Sequence, residues 1–122
     1  MRAQFLAGQA PLSLAGTTWN SELTALNPDA TPAQVALIDQ PYAAALTKLD
    51  DQLLSFGATA TVGAAITTFV HADENLIDDV LARAMQNSST LGTWNTAITQ
   101  DTRTGQNAAA SLRKALGLPP AR

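Results

Sequence analysis

The sequence predicts an all-α protein, an antiparallel up-down-up-down four-helix bundle with a kinked first helix. In four long segments, apolar residues recur every three or four positions, as they do along one side of an α-helix. The connections between these segments are short, which favours antiparallel neighbours. No segment alternates polar and apolar residues as a half-buried strand does. The chain of 122 residues is of a length that suits one core, so we expect a single domain, 1–122.

The second segment has the clearest helical signals. Thr31 is placed to cap its start, Pro32 suits the first helical position, and Gln34 completes a Thr-x-x-Gln capping box. Gly57 suits the left-handed position that ends a helix. The apolar stripe comprises Val35, Ile38, Tyr42, Leu46, Leu49, Leu53 and Phe56. A stripe of this length has to be buried by partners, so Leu49 and Leu53 are predicted to be core residues.

The other three segments carry comparable stripes. We expect helices at approximately 3–26, 32–56, 61–86 and 90–116, followed by a tail at 117–122. The stripes are Leu12, Gly16, Trp19, Leu23 and Leu26 in the first helix, Val62, Ile66, Phe69, Asp73, Leu76 and Val80 in the third, and Leu91, Trp94, Ile98, Asp101, Gly105, Ala108, Leu112 and Leu116 in the fourth. Pro11 predicts a kink in the first helix and Pro41 a bend in the second. Gly117 is expected to end the fourth helix.

The composition excludes several classes of function. Lys and Arg number 7 against 10 Asp and Glu, and the net charge is −3, so there is no electrostatic case for binding nucleic acid. No apolar run approaches the roughly 18–20 residues that a transmembrane segment needs. The absence of Cys excludes a disulfide framework, a thiolate metal site and a Cys nucleophile.

Two acidic residues, Asp73 and Asp101, interrupt apolar stripes and are the candidate buried polar groups. A carboxylate on a buried face must be paired or hydrogen-bonded. One hypothesis is a core site, such as a metal site or an acid–base pair. A second is a structural bond from a Trp, Thr or Arg on a neighbouring helix, and a third is a small helix rotation that turns both residues to water. We expect the structural bond.

The densest polar cluster lies around His71 and includes Glu74 and Asp78 at helical spacing. A metal would accept such ligands, but the known carboxylate-bridged bundle sites require a Glu-x-x-His motif on two helices. This chain has one His, so we predict no metal, no cofactor and no catalytic residues. No nucleotide or hydrolase fingerprint is present either. The cluster is interpreted as a solvated acidic face.

Three aromatic residues, Trp19, Tyr42 and Trp94, are the candidate pocket-lining residues. They are predicted on helical stripes that face the interior of the bundle. Aromatic side chains in that position pack the core or line a cavity for an apolar ligand. Both interpretations stay open on the sequence alone.

The chain also resembles a group of known proteins in its order of short motifs. FLAGQAPL, Trp19, ALNPDATPAQ, Pro41, DDQLL, FVHADENL and SLRKALGLPPA follow one another along the chain. This order is similar to small all-helical extracytoplasmic domains of largely uncharacterised actinobacterial exported or lipid-anchored proteins. The resemblance implies an extracytoplasmic helical domain and assigns no activity or functional residue.

The surface composition points in the same direction. Ala, Thr, Asn and Gln are abundant while charged residues make up only 14% of the chain, a balance typical of exported or virion proteins. We therefore expect a non-enzymatic interaction or binding module, secreted or at the cell surface, with a protein partner and with its leader absent from this chain. The alternatives are a structural protein of a phage particle and a carrier of a small apolar ligand with a pocket between helices.

Overall fold

The all-α prediction is confirmed by the computed structural model, which describes residues 2–27, 29–55 and 60–120, the side chain of Gln4 excepted. The described helices are α1 (Arg2–Thr24), α2 (Pro32–Leu54), α3 (Ala60–Ala82) and α4 (Leu91–Ala115), with a 3₁₀ turn at Arg83–Met85. Those ranges contain no strand. Each helix packs on the next one in the chain, as an up-down-up-down bundle requires.

The helix ends follow their local signals. The capping box at α2 is present, since the Gln34 backbone N–H donates to Thr31 Oγ1 at 3.2 Å and the Thr31 N–H donates to Gln34 Oε1 at 2.8 Å. Gly117 has a φ of +71°, and the N–H of Leu118 donates to the Arg113 carbonyl at 2.8 Å. This is the Schellman motif, in which the left-handed residue ends the helix at no steric cost.

Three predicted helix ends differ from the structure by two residues or more. The second helix ends at Leu54 rather than at residue 56. The first helix ends at Thr24 rather than at residue 26, and the third ends as an α-helix at Ala82, after which Arg83–Met85 tighten into the 3₁₀ turn. Such tightening is common in a last helical turn. Both Pro11 and Pro41 lie inside helices that continue past them. The bends expected at these prolines stay predictions, and Phe56 and Gly57 lie outside the described residues.

The core consists of two clusters that follow each other along the bundle. The first fills the end where α1 begins and α4 finishes, and includes Phe5, Leu49, Leu53, Ile66, Phe69, Val70, Ala72, Ala108, Leu112 and Leu116. The second fills the opposite end, and includes Trp19, Ala43, Leu46, Leu76, Val80, Trp94 and Ile98. Partly buried Leu12 packs against both. The predicted core residues Leu49 and Leu53 are 2% and 1% exposed.

The seam between α1 and α4 is the loosest part of the bundle, because the backbones of these two helices make few close approaches within the described residues. At the end where α1 begins, the seam is closed by a hydrogen bond of 2.6 Å from Arg113 Nη1 to Gln9 Oε1. Towards the opposite end the helices leave an open groove.

None of the described helices has the length and the apolar character that crossing a membrane requires.

Candidate functional site

The groove between α1 and α4 is a concave feature that combines aromatic, aliphatic and charged side chains. Its volume is about 620 Å³. The groove, called the α1–α4 groove below, is lined by Trp19, Asn20, Leu23, Thr24, Tyr42, Leu76, Arg83, Leu91, Trp94, Asn95, Ile98, Thr99, Thr102, Arg103 and Gln106. Its walls come mainly from α1 and α4, while α2 and α3 supply part of its floor.

The three aromatic residues singled out in the sequence meet in this groove. The ring centroids of Trp19 and Tyr42 are 5.3 Å apart, and those of Trp19 and Trp94 are 6.3 Å apart. Such tilted contacts are favourable arrangements for aromatic rings. Trp19 and Trp94 are 7% and 9% exposed, so they belong to the core and border the groove at the same time.

Hydrogen bonds inside the protein fix both indole rings. Trp19 Nε1 donates to Asp39 Oδ1 at 2.8 Å, and Trp94 Nε1 donates to the backbone carbonyl of Asp79 at 2.7 Å. An indole has a single donor, so neither ring has a polar group left for a ligand. The two side chains therefore offer the groove ring surface alone.

The carboxyl group that holds Trp19 is deeply buried. Asp39 is 0% exposed, and its Oδ2 has no hydrogen-bond partner. Burial raises the pKa of Asp39, while the bond from Trp19 and the positive charge of Arg83 act in the opposite direction. Because a buried carboxyl group without a full set of partners is costly, we assign Asp39 the role of fixing the Trp19 ring.

Two arginines supply the positive charge of the groove. The guanidinium carbon of Arg83 lies 5.5 Å from the centroid of the Trp94 ring, which is within the range of a cation–π interaction. Arg83 is half-buried and Arg103 is exposed. No Asp or Glu is among the lining residues.

Asp73, one of the two candidate buried acids, is 4% exposed. Its hydrogen-bonding neighbour is the carboxyl group of Asp50 on α2, which is also 4% exposed. The prediction of a bond from a Trp, Thr or Arg is therefore wrong for this residue. Both indole N–H groups donate elsewhere, one to a carboxyl group on α2 and the other to a backbone carbonyl on α3. Two carboxyl groups form such a bond only when they share a proton.

Burial and mutual repulsion set the ionisation of this pair. Desolvation raises the pKa of Asp50 to about 9, and the hydrogen bond to Asp73 and the nearby negative charges act in the same direction. Burial also raises the pKa of Asp73, to about 6. The pair therefore retains a proton at neutral pH. It lies where the two core clusters meet, since Asp73 falls between Ala72 of the first cluster and Leu76 of the second.

Asp101, the other candidate acid, is partly exposed and forms a second carboxyl pair with Asp79 on α3. Desolvation raises the pKa of Asp79 to about 7, and the bond and the negative charge of Asp101 add to the effect. Here too a second carboxyl group takes the place of the expected Trp, Thr or Arg donor. The two candidate acids are not brought together, since each pairs with a different residue.

The burial of Asp39 and Asp50 was not predicted, although the sequence contains a signal for it. Counting Ala43 as a stripe residue gives a second regular series on α2, with steps of four, four, three, four and three. This series comprises Val35, Asp39, Ala43, Leu46, Asp50 and Leu53, and all six residues are buried. The helix face that packs inward is therefore wider than the stripe of large apolar residues alone.

The polar cluster on α3 is not buried. His71, Glu74 and Asp78 are all exposed. Within the ranges that the structure describes, no group of three or more His, Cys, Asp or Glu is arranged to hold a metal ion.

No protein-family model, no curated protein and no solved structure matches this chain.

Proposed function

We propose that this protein is a non-enzymatic binding module that works outside the cytoplasm and takes a small ligand with an apolar body into the α1–α4 groove. The observation that carries the proposal is the meeting of Trp19, Tyr42 and Trp94 in one open groove. Among the functions considered for the sequence, this observation favours the carrier of a small ligand.

The dimensions and chemistry of the groove support this proposal. Small-molecule sites typically enclose about 300–1,000 Å³ and are lined by apolar and aromatic side chains with a few polar groups. The α1–α4 groove has a volume of about 620 Å³. Aliphatic residues such as Leu23, Leu76 and Ile98 continue the apolar surface beside the rings, and neutral polar residues such as Asn95 and Thr99 form part of the rim.

The fixed rings also support binding in preference to catalysis. Rigid aromatic side chains lose little conformational entropy when a ligand stacks on them, which favours affinity. The lining contains no His and no carboxylate to activate a hydroxyl group for nucleophilic attack. The low charge of the chain supports the assignment to an exported protein, because only 14% of its residues are charged.

The direct test is binding of a neutral fluorescent probe, N-phenyl-1-naphthylamine, to the wild-type protein and to a variant with a filled groove. Thr99→Trp places a large ring at the rim of the groove and is expected to abolish most of the probe fluorescence. Thr68→Trp is the matched control, because both threonines are exposed helix residues whose hydroxyls donate to the carbonyl four residues earlier. Thr68 does not line the groove.

The expected result is saturable binding by the wild type and by Thr68→Trp, with a much lower affinity for Thr99→Trp. Binding should also change the fluorescence of Trp19 and Trp94, since both rings border the groove. Absence of saturable binding to the wild type, or equal binding by the two variants, would refute the proposal.

A further inference from the structure

We infer that the ligand of the α1–α4 groove is an amphiphile with one anionic group, and that Arg83 and Arg103 bind this group while the apolar body lies on the aromatic rings. This inference rests on the proposed function and adds the chemical class of the ligand.

The first argument is the distribution of charge. The chain as a whole is acidic, with a net charge of −3. The lining of the groove has the opposite sign, because it contains two arginines and no acidic residue. A concave site of one sign in a protein of the other sign attracts ions of complementary charge. An anion is therefore favoured in the groove and disfavoured over much of the remaining surface.

The second argument is the state of the two guanidinium groups. Among the described residues, Arg83 forms a cation–π contact and Arg103 has no hydrogen bond or ion pair. The Asp39 carboxyl group lies close enough to be influenced by the charge of Arg83, but it is fully buried and forms no ion pair with it. The N–H donors of both arginines are therefore available to a ligand.

The third argument is the geometry at Trp94. A guanidinium group over an aromatic face keeps the N–H donors at its planar edge free, and these match the oxygens of a carboxylate, sulfonate or phosphate. Because Arg83 is half-buried, its charge is less screened by water than that of a freely exposed arginine. The contact also brings the charge next to the ring surface on which the apolar body would lie.

The test compares two probes that share one aromatic skeleton. 1-Anilinonaphthalene-8-sulfonate carries one negative charge, whereas N-phenyl-1-naphthylamine is neutral. We expect the sulfonate to bind the wild type about tenfold more tightly, the advantage expected from charge-assisted hydrogen bonds in a partly exposed site. Raising the salt concentration should weaken binding of the sulfonate and leave the neutral probe unaffected.

Substitutions assign this advantage to particular residues. Arg103→Gln removes an exposed side chain without a partner, so it should fold normally and lose much of the preference for the sulfonate while retaining affinity for the neutral probe. Arg83→Gln should likewise lose much of the preference for the sulfonate and retain affinity for the neutral probe. Arg83→Lys, which keeps the charge, should retain part of the preference. Lys114→Gln is the control, since Lys114 is an exposed cation of α4 outside the groove.

Each outcome bears on the anionic ligand, on the binding groove or on both. Equal binding of the two probes by the wild type would overturn the inference that the ligand is anionic, while the proposal that the groove binds a ligand would stand. A preference that survives both Arg→Gln substitutions, or that Lys114→Gln removes equally, would also overturn it. If neither probe binds, the groove itself is not a ligand site and both proposals fall.

Discussion

Replacing Asp50 by Asn is expected to make the stability of this protein much less dependent on pH. In the folded state, the Asp50 and Asp73 carboxyl groups share a proton because both are buried and in hydrogen-bonding contact. An Asn amide donates the same kind of bond to Asp73 without having to take up a proton. The substitution therefore keeps the contact and removes the proton that folding requires.

The sign and size of the effect follow from the raised pKa values. In the folded state the pKa of Asp50 is about 9 and that of Asp73 about 6, whereas the pKa of an unfolded Asp is about 3.9. Between the unfolded and folded pKa values the folded chain binds more protons, so the free energy of unfolding falls as pH rises. One extra proton corresponds to about 1.4 kcal/mol per pH unit, so the loss between about pH 6 and about pH 8 is about 3 kcal/mol.

Urea denaturation followed by far-ultraviolet circular dichroism at several pH values measures this loss. The Asp50→Asn variant should retain only a weaker slope, since the pKa values of Asp39 and Asp79 are also raised and act in the same direction. Asp51→Asn is the matched control, because Asp51 is the exposed neighbour of Asp50 on the same helix. A wild-type stability that stays constant or rises over this range, or an equal slope in Asp50→Asn, would refute the shared proton.

The remaining predictions concern packing. Leu53→Ala should lower the free energy of unfolding by about 2–5 kcal/mol through lost burial and a cavity. Leu54→Ala should change it by less than about 0.5 kcal/mol, because Leu53 is 1% exposed and Leu54 59%. Equal losses in urea denaturation would contradict the packing of α2. Gly105→Ala should stabilise α4 by about 0.5–1 kcal/mol, because nothing lies within 4 Å of the new Cβ. Gly8→Ala should destabilise, since its Cβ would lie 2.6 Å from Cδ1 of buried Leu49; a higher melting temperature for Gly8→Ala than for the wild type would contradict this close approach.

Features that depend on a few neighbouring residues were predictable from the sequence. The capping box of Thr31 and Gln34 and the helix end at Gly117 form through bonds between residues close together in the chain. The stripe spacing likewise identified Leu49 and Leu53, because a long row of large apolar side chains has one favourable orientation. These signals were sufficient for the fold class.

The pairing of the acids depends on how each helix is rotated against its neighbours, and the sequence of one helix does not contain that information. Ile38 and Asp39 are adjacent in the chain, yet the carboxylic acid is the one that is fully buried. A buried Asp also gives no indication of whether a Trp or a second Asp will be its partner. The carboxyl pairs were therefore beyond the reach of the stripe pattern.

The groove was predictable only in part. Trp19, Tyr42 and Trp94 were identified because they lie on stripes, but the opening between α1 and α4 follows from the separation of two helices that are far apart in the chain. Arg83 was missed because it falls in the last turn of the predicted third helix, whereas in the structure it begins the 3₁₀ turn, with its side chain over Trp94. A change of helix type near a predicted end leaves no clear periodic signal.

The division of the core into two clusters makes intrinsic fluorescence a regional probe. Both tryptophans belong to the cluster beside the groove. In the cluster at the opposite end, the aromatic residues that the structure describes are phenylalanines. Indole emission therefore reports the unfolding of one half of the bundle, while circular dichroism averages over all the helices. When the two halves unfold as a single cooperative unit, the two denaturation curves coincide. If ionising the carboxyl pair between the clusters uncouples the halves at high pH, the curves separate, and the separation measures how much cooperativity the shared proton provides.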